Sequence, residues 1–145
     1  MIDEREANVL FPLFVSGQLA GTLLAREIRA SGLTPAEFGV LSAIGVWGPL
    51  SPSELAQRVG MPPTTLSDYI ARFSRRRLVK RRPHPEDGRS YLLELTATGR
   101  RKHSTAGAGL LRSLERIAAH LDAPAVRSSL LELEHALRLA LTSVP

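Results

Sequence analysis

The chain has 145 residues, 43% of them hydrophobic and 23% charged, and no cysteine. That length sustains a domain with its own core, and the composition is that of a folded protein rather than a disordered one. The lack of thiols excludes a disulfide scaffold, a thiolate zinc site and a cysteine redox switch. The net charge of +5 is unevenly placed: residues 72–102 carry +8 and the rest of the chain −3. About a fifth of the sequence therefore reads as a site for a polyanion.

No run of apolar residues approaches the roughly 18–20 needed to span a bilayer. The start, Met1-Ile2-Asp3-Glu4-Arg5-Glu6, is acidic where a signal peptide would be basic. The expectation is a cytoplasmic protein without a membrane segment. His84, His103, His120 and His135 are too scattered to form a helical metal clamp. No Ser-His-Asp order, carboxylate pair or glycine-rich phosphate loop stands out. These features predict neither an enzyme nor a metal or cofactor site.

In chain order, residues 12–30 predict a helix, with Pro12 at its first position and Leu13, Ala20, Leu24 and Ile28 at helical spacing. Gly17 and Gly21 inside it predict close approach by another helix. Thr34-Pro35-Ala36-Glu37 is a capping box that opens a second helix through Phe38, Leu41 and Ile44, broken at Gly48-Pro49. Ser51-Pro52-Ser53-Glu54 repeats the device for a short helix through Leu55 and Val59, stopped by Gly60. After a tight turn, Pro63 opens a fourth helix to about Arg76, with Leu66, Ile70 and Phe73 on its buried stripe. Two short helices joined by a glycine turn make a helix-turn-helix.

The period then changes. Residues 78–82 and 91–95 read as paired strands, and the Pro- and Gly-rich segment between them contains Asp87-Gly88, a strong hairpin signal. A long helix of about 98–120, capped by Thr96 or Thr98, aligns Ala106, Leu110, Leu114, Ile117 and Leu121. Pro124 opens a last helix to about Thr142 with Val126, Leu130, Leu133, Leu137 and Leu141 at spacings of four, three, four and four. Leu131 and Leu139 lie off that stripe, so this helix is apolar on more than one side, as a subunit interface requires. Packing against helix 12–30 of the same chain is the alternative.

The fold class is thus mainly α with a small β-hairpin wing. One domain, 1–145, is expected: a winged helix-turn-helix at about 34–97, flanked by dimerisation helices in 1–31 and 98–145. The outer face of helix 63–76 carries Thr64, Asp68, Arg72 and Arg75, with Thr65 and Ser67 flanking, a set suited to a DNA major groove. Asp68 could accept from a cytosine amino group; the favoured expectation is that it pairs with Arg72 one turn on and orients it. Arg89, at the wing tip, suits the flanking minor groove, with Asp87 holding either that arginine or the turn. Ser51, Ser53 and His84 complete the candidate DNA-binding set.

Three stretches carry a family resemblance: Leu55 to Ser67, Leu78-Val79-Lys80-Arg81, and Pro85-Glu86-Asp87-Gly88-Arg89 through Leu95-Thr96 and Gly99. Together they closely resemble MarR regulators, most specifically in Asp87-x-Arg89 followed by Leu95-Thr96. The resemblance implies a homodimeric transcriptional regulator, a ligand-responsive repressor binding double-stranded DNA at a pseudo-palindromic operator. Its terminal helices would form the interface. It also implies a small aromatic or phenolic ligand between the dimerisation helices and the DNA-binding lobe, where Phe14, Trp47 and His103 are the candidate lining. Without cysteine, peroxide sensing of the kind some relatives use is excluded. Pro62 departs from the serine or threonine that such regulators place as cap of the recognition helix. A winged-helix protein-interaction module that has lost DNA binding is the competing reading.

Overall fold

The computed structural model describes Arg5 and residues 8–143. The chain divides into two compact units, residues 1–110 and 111–145. In order the elements are α1 (Leu10–Glu27), a 3₁₀ turn (Arg29–Ser31), α2 (Pro35–Trp47), α3 (Pro52–Val59), α4 (Pro63–Arg75), β1 (Val79–Pro83), β2 (Tyr91–Leu95), α5 (Ala97–Ala118) and α6 (Ala123–Thr142). No helix of the described residues is long and apolar enough to cross a membrane.

Both predicted capping boxes form. Thr34 Oγ1 accepts from Glu37 N–H while the Glu37 carboxylate accepts from Thr34 N–H at 3.0 Å; Ser51 and Glu54 reciprocate in the same way. Each box satisfies two backbone donors that a helix start otherwise leaves unpaired. Gly60 stops α3 at φ 66°, a left-handed backbone that only glycine adopts without strain.

The core lies in the first unit. Ile28, Phe38, Leu41, Ile44, Leu55, Leu66, Ile70, Phe73, Leu78, Leu93 and Ala106 are all buried in one apolar cluster. Truncating a side chain as enclosed as Phe73 would cost about 3–5 kcal/mol. β1 and β2 pair antiparallel from Val79 opposite Leu95 to Pro83 opposite Tyr91. Leu50 adds a single bridge to Leu93, with Leu93 N–H donating to Leu50 O at 2.7 Å. The chain after the Gly48-Pro49 break therefore fastens the wing to the end of α2.

One expectation about α1 is corrected. The helix begins at Leu10, so Pro12 sits inside its first turn, where a missing N–H is still harmless. A side chain added at Gly17 or Gly21 would meet nothing within 4 Å in this single chain. The tight approaches belong to α5. A Cβ on Gly99 would collide with the Leu78 carbonyl, and one on Gly109 with that of Glu27.

Apolar side chains remain exposed in both units. In the first, Leu10, Phe11, Phe14, Val15 and Leu19 of α1 face solvent. In the second, α6 buries no residue, and Val126, Leu130, Leu131, Leu137, Leu139 and Leu141 are all exposed.

Candidate nucleic-acid interface

α4 is held from one side only. Leu66, Ile70 and Phe73 are buried, while Thr64, Thr65, Ser67, Asp68, Arg72 and Arg75 are all exposed. Thr65, Asp68, Arg72 and Arg75 share a groove of about 460 Å³ with Tyr69 and Ala71. The structure thus brings four of the six α4 candidates into one concave surface. The expected Asp68–Arg72 pair does not form. The Arg72 guanidinium instead lies over the Tyr69 ring, 4.4 Å from its centroid, a cation–π contact that occupies the flat face of the fork. Tyr69 orients Arg72, and the Asp68 carboxylate stays unpaired among the described residues.

No side chain caps α4. The departure at Pro62 nevertheless costs little, because Pro62 and Pro63 have no N–H to leave unsatisfied. Of the donors that a helix start exposes, only those of Thr64 and Thr65 remain, since Leu66 N–H already reaches Pro62 O at 3.0 Å. These two amides take no partner among the described residues, and they sit at the positive end of the helix dipole beside two exposed hydroxyls. Such a terminus favours an anionic oxygen. Ser53 is exposed at the start of α3, whereas Ser51 is buried and engaged as that helix's cap. The amide of Ser51, and then its hydroxyl, hold the Glu54 carboxyl below the ordinary carboxylate value.

The wing tip is a relay of backbone bonds. His84 Nδ1 accepts from both Glu86 N–H and Asp87 N–H at 3.1 Å. Asp87 Oδ1 accepts from Arg89 N–H at 2.9 Å. Asp87 therefore holds the turn rather than the guanidinium. The Arg89 side chain is exposed and makes no ion pair among the described residues.

Much of the basic run serves the fold. Arg76 donates to Glu37 Oε1 at 3.1 Å and to Gly32 O at 2.8 Å. Arg100 donates to Leu95 O and Lys102 to Ser31 O. Lys80 and Arg82 both reach Glu94, while Arg81 covers the Tyr91 ring at 4.3 Å. Charge counting overestimates this interface because backbone carbonyls far along the chain claim Arg76 and Lys102, and Glu94 holds Lys80 and Arg82. Arg75, Arg77 and Arg89 keep no such partner among the described residues. The aromatic supports of Arg72 and Arg81 escaped the sequence reading, although Tyr69 at i−3 of Arg72 was a legible signal.

The three ligand-pocket candidates separate. His103 lines an open cavity of about 450 Å³ with Ile44, Val46, Pro49, Glu94 and Arg100. Its Nε2 lies 2.9 Å from Ser42 Oγ and its ring packs on Phe38, and burial pushes its pKa down. Trp47 lines a second, more apolar cavity of about 400 Å³ with Val46, Val59 and Met61, under the Arg58 guanidinium. Phe14 lies on α1, 62% exposed, and lines neither cavity.

A sequence model of the MarR family matches residues 31–90, the span from the 3₁₀ turn to the wing tip. The same architecture recurs in the transcriptional regulator MosR of Mycobacterium tuberculosis, solved in complex with DNA. That likeness has 29% identity and a TM-score of 0.79, covering 91% of this chain and 97% of that one. Through residues 31–90 this chain is similar to the MarR family. A second solved structure, the PcaV transcriptional regulator of Streptomyces coelicolor in complex with its natural ligand, is 27% identical, with a TM-score of 0.74 over 97% of this chain and 98% of that one. An uncharacterised HTH-type transcriptional regulator of Mycobacterium leprae is 31% identical over 85 residues, which is 56% of this chain and 59% of that protein's length. In this chain, Thr96 of the Leu95-Thr96 pair has a visible task. Its hydroxyl donates to Arg77 O at 2.6 Å and accepts from Gly99 N–H at 3.0 Å, capping α5 while tying it to the end of α4.

Proposed function

We propose that this chain is a sequence-specific, DNA-binding transcriptional regulator that acts as a homodimer on a pseudo-palindromic operator and represses until a small ligand releases it. One observation carries the reading. Thr64, Thr65, Ser67, Asp68, Arg72 and Arg75 all lie on the exposed face of one amphipathic helix. The two free amides at its start and the unpaired Arg89 of the wing supply further donors. Helix N-terminal hydroxyls and amides meet base edges and phosphates in a major groove. Arg72 and Arg75, a turn or two on, meet backbone phosphate, and Arg89 enters the adjacent minor groove. The DNA complex of MosR supports this assignment.

The exposed leucines of α6 and the exposed phenylalanines of α1 are the surfaces that a second copy covers. Two recognition helices related by that dimer read half-sites about one helical turn apart. The cavity beside His103 and Arg100 takes a small aromatic or phenolic effector, a reading supported by the ligand complex of PcaV. A gel shift on the region upstream of the chain's own coding sequence tests the function. A specific band at about 100 mM salt, lost on adding the effector, is expected; no specific band refutes DNA recognition and leaves a protein-interaction module.

A further inference from the structure

The wing of this chain is built on a histidine that makes two hydrogen bonds it can keep only while neutral. His84 stands between Pro83, the last residue of β1, and Pro85. The residue before a proline is driven to extended backbone, which leaves the imidazole free to fold back over the amides that follow. Pro85 has no N–H, so the first amides available are those of Glu86 and Asp87, and Nδ1 accepts from both. Asp87, so placed, accepts from Arg89 N–H with its carboxylate and from Ser90 N–H with its carbonyl. The imidazole thus does what an asparagine or aspartate oxygen does in an Asx turn, with one difference: a ring nitrogen that takes up a proton stops accepting.

We propose that His84 is the positioning residue of the wing, aiming Arg89 through Asp87 while its Nδ1 is unprotonated and releasing it when protonated. The proposal rests on the DNA-binding reading above. In the imidazolium both ring nitrogens carry hydrogen and neither accepts, so Nδ1–H would face two N–H donors and the turn would open. The charged groups around it are Glu86, Asp87 and Arg89 on its own loop. From α3, the charged groups on this side are Glu54, whose carboxyl His84 and Arg58 both help to hold down, and Arg58 itself.

The sign of the pH dependence separates this role from a direct DNA contact. A histidine that touches phosphate adds a positive charge as pH falls and strengthens binding. A histidine that holds the wing weakens binding as pH falls, because Arg89 is released.

Two measurements on the intact protein test it. In ¹H–¹⁵N spectra of the free protein, the amides of Glu86, Asp87 and Arg89 should move together as pH falls from about 7.5 to 5.5, and stay still in His84→Asn. Fluorescence anisotropy with a labelled duplex from the chain's own upstream region should show affinity about tenfold weaker at the lower pH. His84→Asn should bind like the wild type at high pH and lose the pH dependence, whereas His84→Ala should bind weakly throughout. Wing amides that do not titrate, or affinity that rises as pH falls through His84, overturn the proposal. Titrating wing amides with no DNA binding at any pH uphold the turn and refute the DNA reading.

Discussion

Arg76, one residue past the end of α4, donates to the carboxylate of Glu37 at 3.1 Å across a separation of 39 residues. The same Glu37 side chain closes the capping box of α2 and is only 8% exposed. One buried carboxylate thereby fixes the start of α2 and the end of the recognition helix, and the guanidinium's second arm secures Gly32 O. Arg76→Ala is expected to lower stability by about 2 kcal/mol, since it strands a buried charge, and Arg76→Lys to restore only part because an ammonium lacks the planar fork. Urea unfolding checks this; an unchanged midpoint would remove the pair from the framework.

Arg89→Ala should weaken DNA binding and flatten the dependence of log affinity on log salt by about one per subunit, as loss of one phosphate-like contact predicts. Because Asp87 holds the backbone of Arg89 and not its side chain, the fold should be untouched. Anisotropy titrations at several salt concentrations decide the matter, and an unchanged slope would remove Arg89 from the interface.

Thr96→Val keeps the shape of the side chain and deletes both bonds of its hydroxyl, to Arg77 O and from Gly99 N–H. A destabilisation of about 1–2 kcal/mol is expected, in the range of a lost helix cap. Thermal unfolding followed by circular dichroism measures it.

Burial holds the His103 imidazole below its ordinary value of 6.5. The unfolded chain therefore binds a proton that the native protein declines. This contribution to stability is complete above about pH 6.5 and is lost as pH falls from there toward the native value. His103→Asn should flatten the decline in urea midpoint over that window. A slope identical to the wild type's would place the acid sensitivity elsewhere.

Leu137 and Leu141 lie one turn apart on the exposed face of α6, Leu141 at 78% exposure. If that face is the subunit interface, Leu137→Glu combined with Leu141→Glu should give a folded monomer in sedimentation velocity that no longer binds operator DNA. A variant that still sediments as a dimer would refute the assignment.

What the sequence by itself determined is whatever depends on near neighbours. Thr34 with Glu37, and Ser51 with Glu54, lie three residues apart, so the start of each helix was legible. The change from a helical to an alternating period and the Asp87-Gly88 turn located the wing, and the exposed face of α4 followed from its buried stripe at Leu66, Ile70 and Phe73. The tertiary structure decided which cations remain for a ligand, because Gly32 O, Ser31 O and Glu37 reach Arg76 and Lys102 only after long stretches of chain have folded between them. It decided that Leu50 fastens the wing through Leu93, and that Gly99 and Gly109 mark close approaches within the chain. It also placed His84 Nδ1 where it accepts from the Glu86 and Asp87 amides that follow it. The physical reason is common to all of these: a local bond competes with few alternatives and leaves a spacing in the sequence, whereas a distant partner is selected by packing and leaves none.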